Sequence, residues 1–199
     1  TAALLGEAGS DQAIVVWRPA ADERRVVLAR GVGRYGRLAL GPDGQVLAAR
    51  LQGDADPRLN QGVSFYDLAS DARIFTLLPA ADDRLGDGFA FSPDGVHFAV
   101  AVEPGGRVEI WDVAARQKRQ TLAVPGGQAP QAFSFSPDGR VLAVISGPLS
   151  LWDVATGQRA QTVELVVPPQ GGVTFTPDGQ RAFLGGGVAR RADFTVLRP

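Results

Sequence analysis

A turn that occurs four times constrains this chain more than any other feature. Leu-Gly-Pro-Asp-Gly at 40–44, Phe-Ser-Pro-Asp-Gly at 91–95 and again at 135–139, and Phe-Thr-Pro-Asp-Gly at 175–179 are versions of one segment. Their prolines, Pro42, Pro93, Pro137 and Pro177, are separated by 51, 44 and 40 residues. Recurrence at such a period is the signature of a repeat architecture. Each copy carries its own turn chemistry: Pro presets φ, Asp bonds its own backbone, and Gly accepts positive φ. Short alternating runs flank the turns, such as Gly88-Phe89-Ala90-Phe91 before one and Val141-Leu142-Ala143-Val144-Ile145 after another. Each turn is therefore expected to join two strands, a and b, of one hairpin.

A second series interleaves with the first. An aromatic closes the next apolar run at Trp17, Tyr66, Trp111 and Trp152, with Leu197 a looser fifth, at spacings of 49, 45, 41 and 45 residues. Seven positions past each of the first four stands a basic residue, Arg24, Arg73, Lys118 or Arg159, followed by another strand-like run. Those runs are strands c and d; aromatics filling an unrelated core would not hold this register. The count along the chain is b, c, d, then a to d three times, then a, b, c, giving 18 strands and no helix. Units of 40 to 50 residues with four strands match β-propeller blades. A β-sandwich also uses many short strands, but it has no reason to repeat its turns so faithfully.

Phe-Ser-Pro-Asp-Gly followed by Trp-Asp, as at 91–95 with Trp111-Asp112 and at 135–139 with Trp152-Asp153, resembles WD40 repeats; Tyr66-Asp67 is a weaker equivalent. The resemblance covers essentially the whole chain. It implies an all-β, WD40-type propeller segment over 1–199 of about four and a half blades: a partial blade 1–35, blades at about 36–86, 87–129 and 130–170, and a partial blade 171–199. The Gly-His dipeptide of that family is missing, and the one histidine is His97 on a strand b, which implies a divergent member of prokaryotic type. Gly9-Ser10-Asp11 before Ile14–Trp17 resembles the family's turn aspartate between strands b and c. The family usually closes with seven blades. This sequence opens at Thr1 inside a blade, has no Met, and stops just after a strand c. The expectation is the C-terminal part of a seven-bladed ring that lacks about 110 residues at the observed repeat length. A small five-bladed ring, or assembly of such pieces, is the alternative.

Composition narrows the function classes. With 20 basic against 21 acidic residues and a net charge of -1, the chain has no electrostatic footprint for nucleic acid. Apolar runs such as Val96–Val102 fall far short of the span of about 20 residues a membrane helix needs, so no membrane insertion is expected. The absence of Cys excludes disulfides and thiolate chemistry and leaves a cytoplasmic and an exported location both open. Asp43, Asp94, Asp138 and Asp178 recur in the turns, as Asp112 and Asp153 recur after the tryptophans, and recurrence is the behaviour of structural groups. His97 stands among apolar neighbours, and no serine has a nucleophile-elbow context. Asp54, Asp56 and Asn60 have spacings reminiscent of a calcium loop, but Arg58 takes an oxygen-ligand position. No catalytic group, metal or cofactor is expected.

The reading that remains is a non-catalytic scaffold that docks a protein or peptide. Its alternative is a sensor or regulatory propeller acting in cis within a larger signalling or enzyme chain, with a propeller hydrolase or lyase behind both. The d-a and b-c loops lie on one face and carry the variety, and variable loops on a rigid frame are where recognition usually sits. The candidate binding residues there are Arg34, Tyr35, Asp54, Asp56, Arg58, Arg84, Arg107 and Arg190, with Arg34 and Tyr35 foremost because Tyr and Arg dominate interface hot spots. The absent N-terminal blades are themselves a candidate partner.

Overall fold

The computed structural model describes residues 3–6, 14–18, 23–28, 34–52, 58–125, 127, 129–130, 132–163, 172–185 and 194–195, with side chains described from 37 to 50 and, within these ranges, from 58 to 185. Among the described residues the chain is all-β: eighteen strands, one 3-10 turn at Leu59–Gln61 and no α-helix. The strands form five sheets, and in each the spatial order follows the chain order. The first sheet contains β1 (Ala3–Gly6), β2 (Ile14–Arg18) and β3 (Glu23–Leu28); the second contains β4 (Arg34–Leu40), β5 (Val46–Gln52), β6 (Val63–Asp67) and β7 (Arg73–Leu77). The third is built from β8 (Arg84–Phe91), β9 (His97–Glu103), β10 (Arg107–Asp112) and β11 (Gln117–Ala123). β12 (Ala132–Phe135), β13 (Val141–Ile145), β14 (Leu149–Asp153) and β15 (Arg159–Val163) make the fourth, and β16 (Val173–Phe175), β17 (Arg181–Leu184) and β18 (Phe194–Thr195) the fifth. The chain divides into two compact units, 1–85 and 86–199.

The Pro-Asp-Gly segments form the β4–β5, β8–β9, β12–β13 and β16–β17 turns. Gly44, Gly95, Gly139 and Gly179 take φ of 71°, 72°, 72° and 68°, and each donates its N–H to the carbonyl three residues back at 2.8 to 2.9 Å. Pro at the second turn position and Gly at the fourth are the residues that a type I turn favours there, and the closing pair, Gly41 with Val46 in the first copy, leaves four residues in the loop. The second series has an equally local explanation. The ladder slips by one residue just before Tyr66, Trp111 and Trp152, so that Tyr66 pairs with Arg73, Trp111 with Lys118 and Trp152 with Arg159. Trp17 pairs with Arg24 in the first sheet. The basic residue seven positions on is thus each aromatic's cross-strand partner.

In the first unit, β5 and β6 bury consecutive residues, Leu47, Ala48 and Ala49 and then Val63 to Tyr66. Phe65 stacks on its cross-strand partner Phe75 with ring centroids 4.3 Å apart and planes 8° from parallel. In the second unit β13 buries all five of its residues. Alternate strand residues point to opposite faces, so the fourth sheet is covered on both sides. On one side Ala143, Ile145, Leu149 and Leu151 pack with Val173 and Ala182 of the fifth sheet. On the other, Phe133 lies so close to Gly88 of β8 that a Cβ there would sit 2.7 Å from its ring. At the outer end of the same contact the Gln120 amide donates to the carbonyl of Ala155 at 2.6 Å. Three sheets of the second unit therefore stack face to face in chain order.

The burial of the aromatics is uneven. Tyr66 and Trp152 are each 5% exposed. Trp111 is partly exposed; the Trp17 side chain lies outside the described ones.

Candidate functional site

In a meander of antiparallel strands the first and third turns lie at one end of the sheet and the middle connection at the other. The end bearing the Pro-Asp-Gly hairpins is held by a repeated clamp. Ser92 and Ser136 donate from their hydroxyls to the carboxylates of Asp94 and Asp138, at 2.5 and 2.6 Å, and Thr176 does the same to Asp178 at 2.5 Å. The same oxygens accept the N–H groups of His97, Val141 and Arg181 at 2.8, 2.9 and 3.1 Å. Each carboxylate also accepts an N–H two residues on, from Val96, Arg140 and Gln180. These bonds favour the ionised form, and the hydroxyl donors above all hold Asp94, Asp138 and Asp178 below the usual carboxylate range.

The third-to-fourth strand turns at that end are clamped by the aspartate after each aromatic. Asp67 accepts the N–H groups of Ala69 and Ser70, Asp112 that of Ala115 at 2.8 Å, and Asp153 both N–H and hydroxyl of Thr156 at 2.7 and 2.8 Å. Backbone donors are the largest cause that lowers all three carboxyls below their ordinary value. Asp112 additionally pairs with Arg119 at 2.8 Å. These aspartates are turn pins, and their oxygens face the chain's own backbone.

Buried polar groups inside the sheets have the same character. Glu109, 6% exposed, accepts the Trp111 indole N–H at 2.9 Å and pairs with Lys118 at 2.9 Å. Its equivalent in the fourth sheet, Ser150, accepts the Trp152 indole N–H at 2.9 Å, and Ser64 in the second bonds Thr76. A polar residue two positions before Tyr66, Trp111 and Trp152, though not before Trp17, is the signal that would have found Glu109. Among the described residues no cluster of three or more carboxylates or imidazoles is placed to hold a metal ion. His97 begins β9 opposite Asp112, and its N–H and carbonyl both bond Ser92.

The opposite end holds the candidate binding residues. Arg34 and Tyr35 are not loop residues: they open β4, paired with Gln52 and Leu51 through a bulge that ends at Leu38. Arg58 is exposed at the head of the 3-10 turn, so all three lie at one end of the second sheet. Arg84 opens β8 and Arg107 opens β10, which places both at the corresponding end of the third sheet. The Glu103 to Arg107 connection has only residues 104–106 between the strands, and the Arg107 guanidinium donates to the Pro104 carbonyl at 3.5 Å. Asp54, Asp56 and Arg190 lie outside the described residues. The other connections at this end differ among themselves: residues 53–62 join β5 to β6, 78–83 join β7 to β8, and 146–148 join β13 to β14. No protein-family model matches the chain, and no curated protein matches it.

Proposed function

We propose that the chain is a run of WD40-type propeller blades whose role is to dock a protein or peptide, without chemistry, on the end of the second sheet that carries Arg34, Tyr35 and Arg58. One observation supports this reading above the rest: the two ends of the sheets are unlike. One end is closed in the third, fourth and fifth sheets by the same hydroxyl and carboxylate clamp, while the other varies in connection length and residue type. A frame that fixes one end and diversifies the other suits recognition, because loops on a rigid scaffold can change partner without changing fold. The buried Glu109, Asp112, Ser64 and Ser150 take up their hydrogen-bonding capacity within the frame, which favours a scaffold over a catalyst. The stacking of β8–β11, β12–β15 and β16–β18 in chain order favours blades over a two-sheet sandwich.

The test is a double alanine substitution at Arg34 and Tyr35 beside one at Ser136 and Ser92. The first pair is expected to remove a specific partner from an affinity capture while the melting transition stays nearly unchanged; the second is expected to lower the melting transition and spare capture by the folded fraction. Equal recovery of every specific partner by the Arg34/Tyr35 variant contradicts the placement of the surface.

A further inference from the structure

We propose that Asp43-Gly44 is a site of spontaneous isoaspartate formation, because the hydroxyl that locks the other three repeated turns is missing from this one. The four Asp-Gly turns provide an internal comparison: all four aspartates are exposed, all four glycines have positive φ, and all four carboxylates accept an N–H two residues on. At the position of Ser92, Ser136 and Thr176 stands Gly41. Its missing Cβ would lie 3.2 Å from an Asp43 carboxylate oxygen and 3.1 Å from the Val46 carbonyl, the groups equivalent to those that the Ser92 and Thr176 hydroxyls meet.

The chemistry needs only the turn and water. The Gly44 amide nitrogen attacks Cγ of Asp43, a C–N bond forms, a carboxyl C–O bond breaks, and water leaves with the amide proton, closing a succinimide. Water then adds to either ring carbonyl. Opening on the side-chain carbonyl restores Asp; opening on the main-chain carbonyl leaves the chain running through Cβ, one methylene longer at the β4–β5 turn. In the resting turn the reaction is blocked, since the Gly44 N–H is bonded to the Gly41 carbonyl at 2.9 Å and Asp43 to the Gln45 N–H at 2.9 Å. The turn must open first. At Asp94, Asp138 and Asp178 opening breaks two further hydroxyl bonds, which at ordinary net strength lowers the open fraction by roughly tenfold or more. Crowding acts in the same direction: among the described residues a Cβ on Gly44 would meet nothing within 4 Å, whereas Gly139 and Gly179 have the proline ring of the preceding turn at 3.8 and 3.4 Å. The fifth Asp-Gly pair, Asp87-Gly88, is held within β8, with Gly88 buried under Phe133.

The experiment is long incubation of the full chain in oxygen-18 water at neutral pH, with fragmentation mass spectrometry reading the solvent oxygen that ring hydrolysis places at each aspartate. The expected result is label and isoaspartate at residue 43 roughly tenfold above residues 94, 138 and 178. Gly41→Ser is expected to bring residue 43 down to the level of the others, and Ser136→Ala to raise residue 138 in the otherwise unchanged chain. Equal label at the four turns overturns the proposal, as does a Ser136→Ala protein whose residue 138 stays as slow as before.

Discussion

Ser136 accounts for more of its turn than its size suggests, since one oxygen serves the Asp138 carboxylate and the buried Val141 N–H together. Ser136→Ala leaves that N–H without its partner and is expected to cost about 1–3 kcal/mol in denaturant unfolding. Gly41→Ser supplies the same oxygen where it is missing but brings a Cβ within 3.1 Å of the Val46 carbonyl and 3.2 Å of the Asp43 carboxylate, so these groups must give way slightly and the gain expected from the same measurement is at most about 1 kcal/mol. The carboxylates add a pH dependence of definite sign. Asp67, Asp94, Asp112, Asp138, Asp153 and Asp178 are all held below their ordinary value in the fold. The unfolded chain therefore binds protons first as pH falls. Stability from these groups is complete above the usual carboxylate range and is lost as pH drops through the folded values. Thermal melting is expected to be level from neutral pH to about pH 5 and to fall steeply below about pH 4, with a shallower acid slope in Ser136→Ala. A melting temperature that rises on acidification contradicts this assignment.

At the scale of the strand, the slipped register just before Tyr66, Trp111 and Trp152 puts each beside a basic partner and above a polar residue two positions back. The outcome still differs from sheet to sheet. Trp152 shares a face with Phe133 and Leu142 and is covered, whereas Trp111 rests half-open over Glu109 and Lys118. Trp152→Ala is expected to cost about 3–5 kcal/mol and Trp111→Ala roughly half as much in parallel urea titrations; equal losses contradict the difference in packing. That difference was not legible in the chain, because a strand's own residues determine which way a side chain points but the neighbouring sheet determines what covers it. The turns were legible because their chemistry is local: Pro, Asp and Gly within five residues define the hairpin. Arg34 and Tyr35 were misplaced in a loop for a related reason. The ladder continues past Gly36 by a bulge, which only pairing with β5 reveals. Glu109 was passed over because an acidic residue on a strand resembles an outward-facing one until its lysine and indole partners are in place.

For the whole molecule, the repeated clamps, the consecutive buried residues of β9 and β13, and the chain-ordered stacking of the second unit are together what a row of blades turned about one axis would show. A row of sheets translated without rotation would satisfy the same pairwise contacts, so the decisive quantity is how distance accumulates over two steps. Spin labels at the equivalent turn positions Val96, Arg140 and Gln180, taken two at a time, measure it directly in solution by electron-electron dipolar coupling. Blades around an axis make the distance between the outer two positions about 1.8 times that between neighbours for seven blades and about 1.6 times for five. A ratio at or above two, or unequal distances for the two neighbouring pairs, would contradict the proposed arrangement of the second unit's sheets as propeller blades.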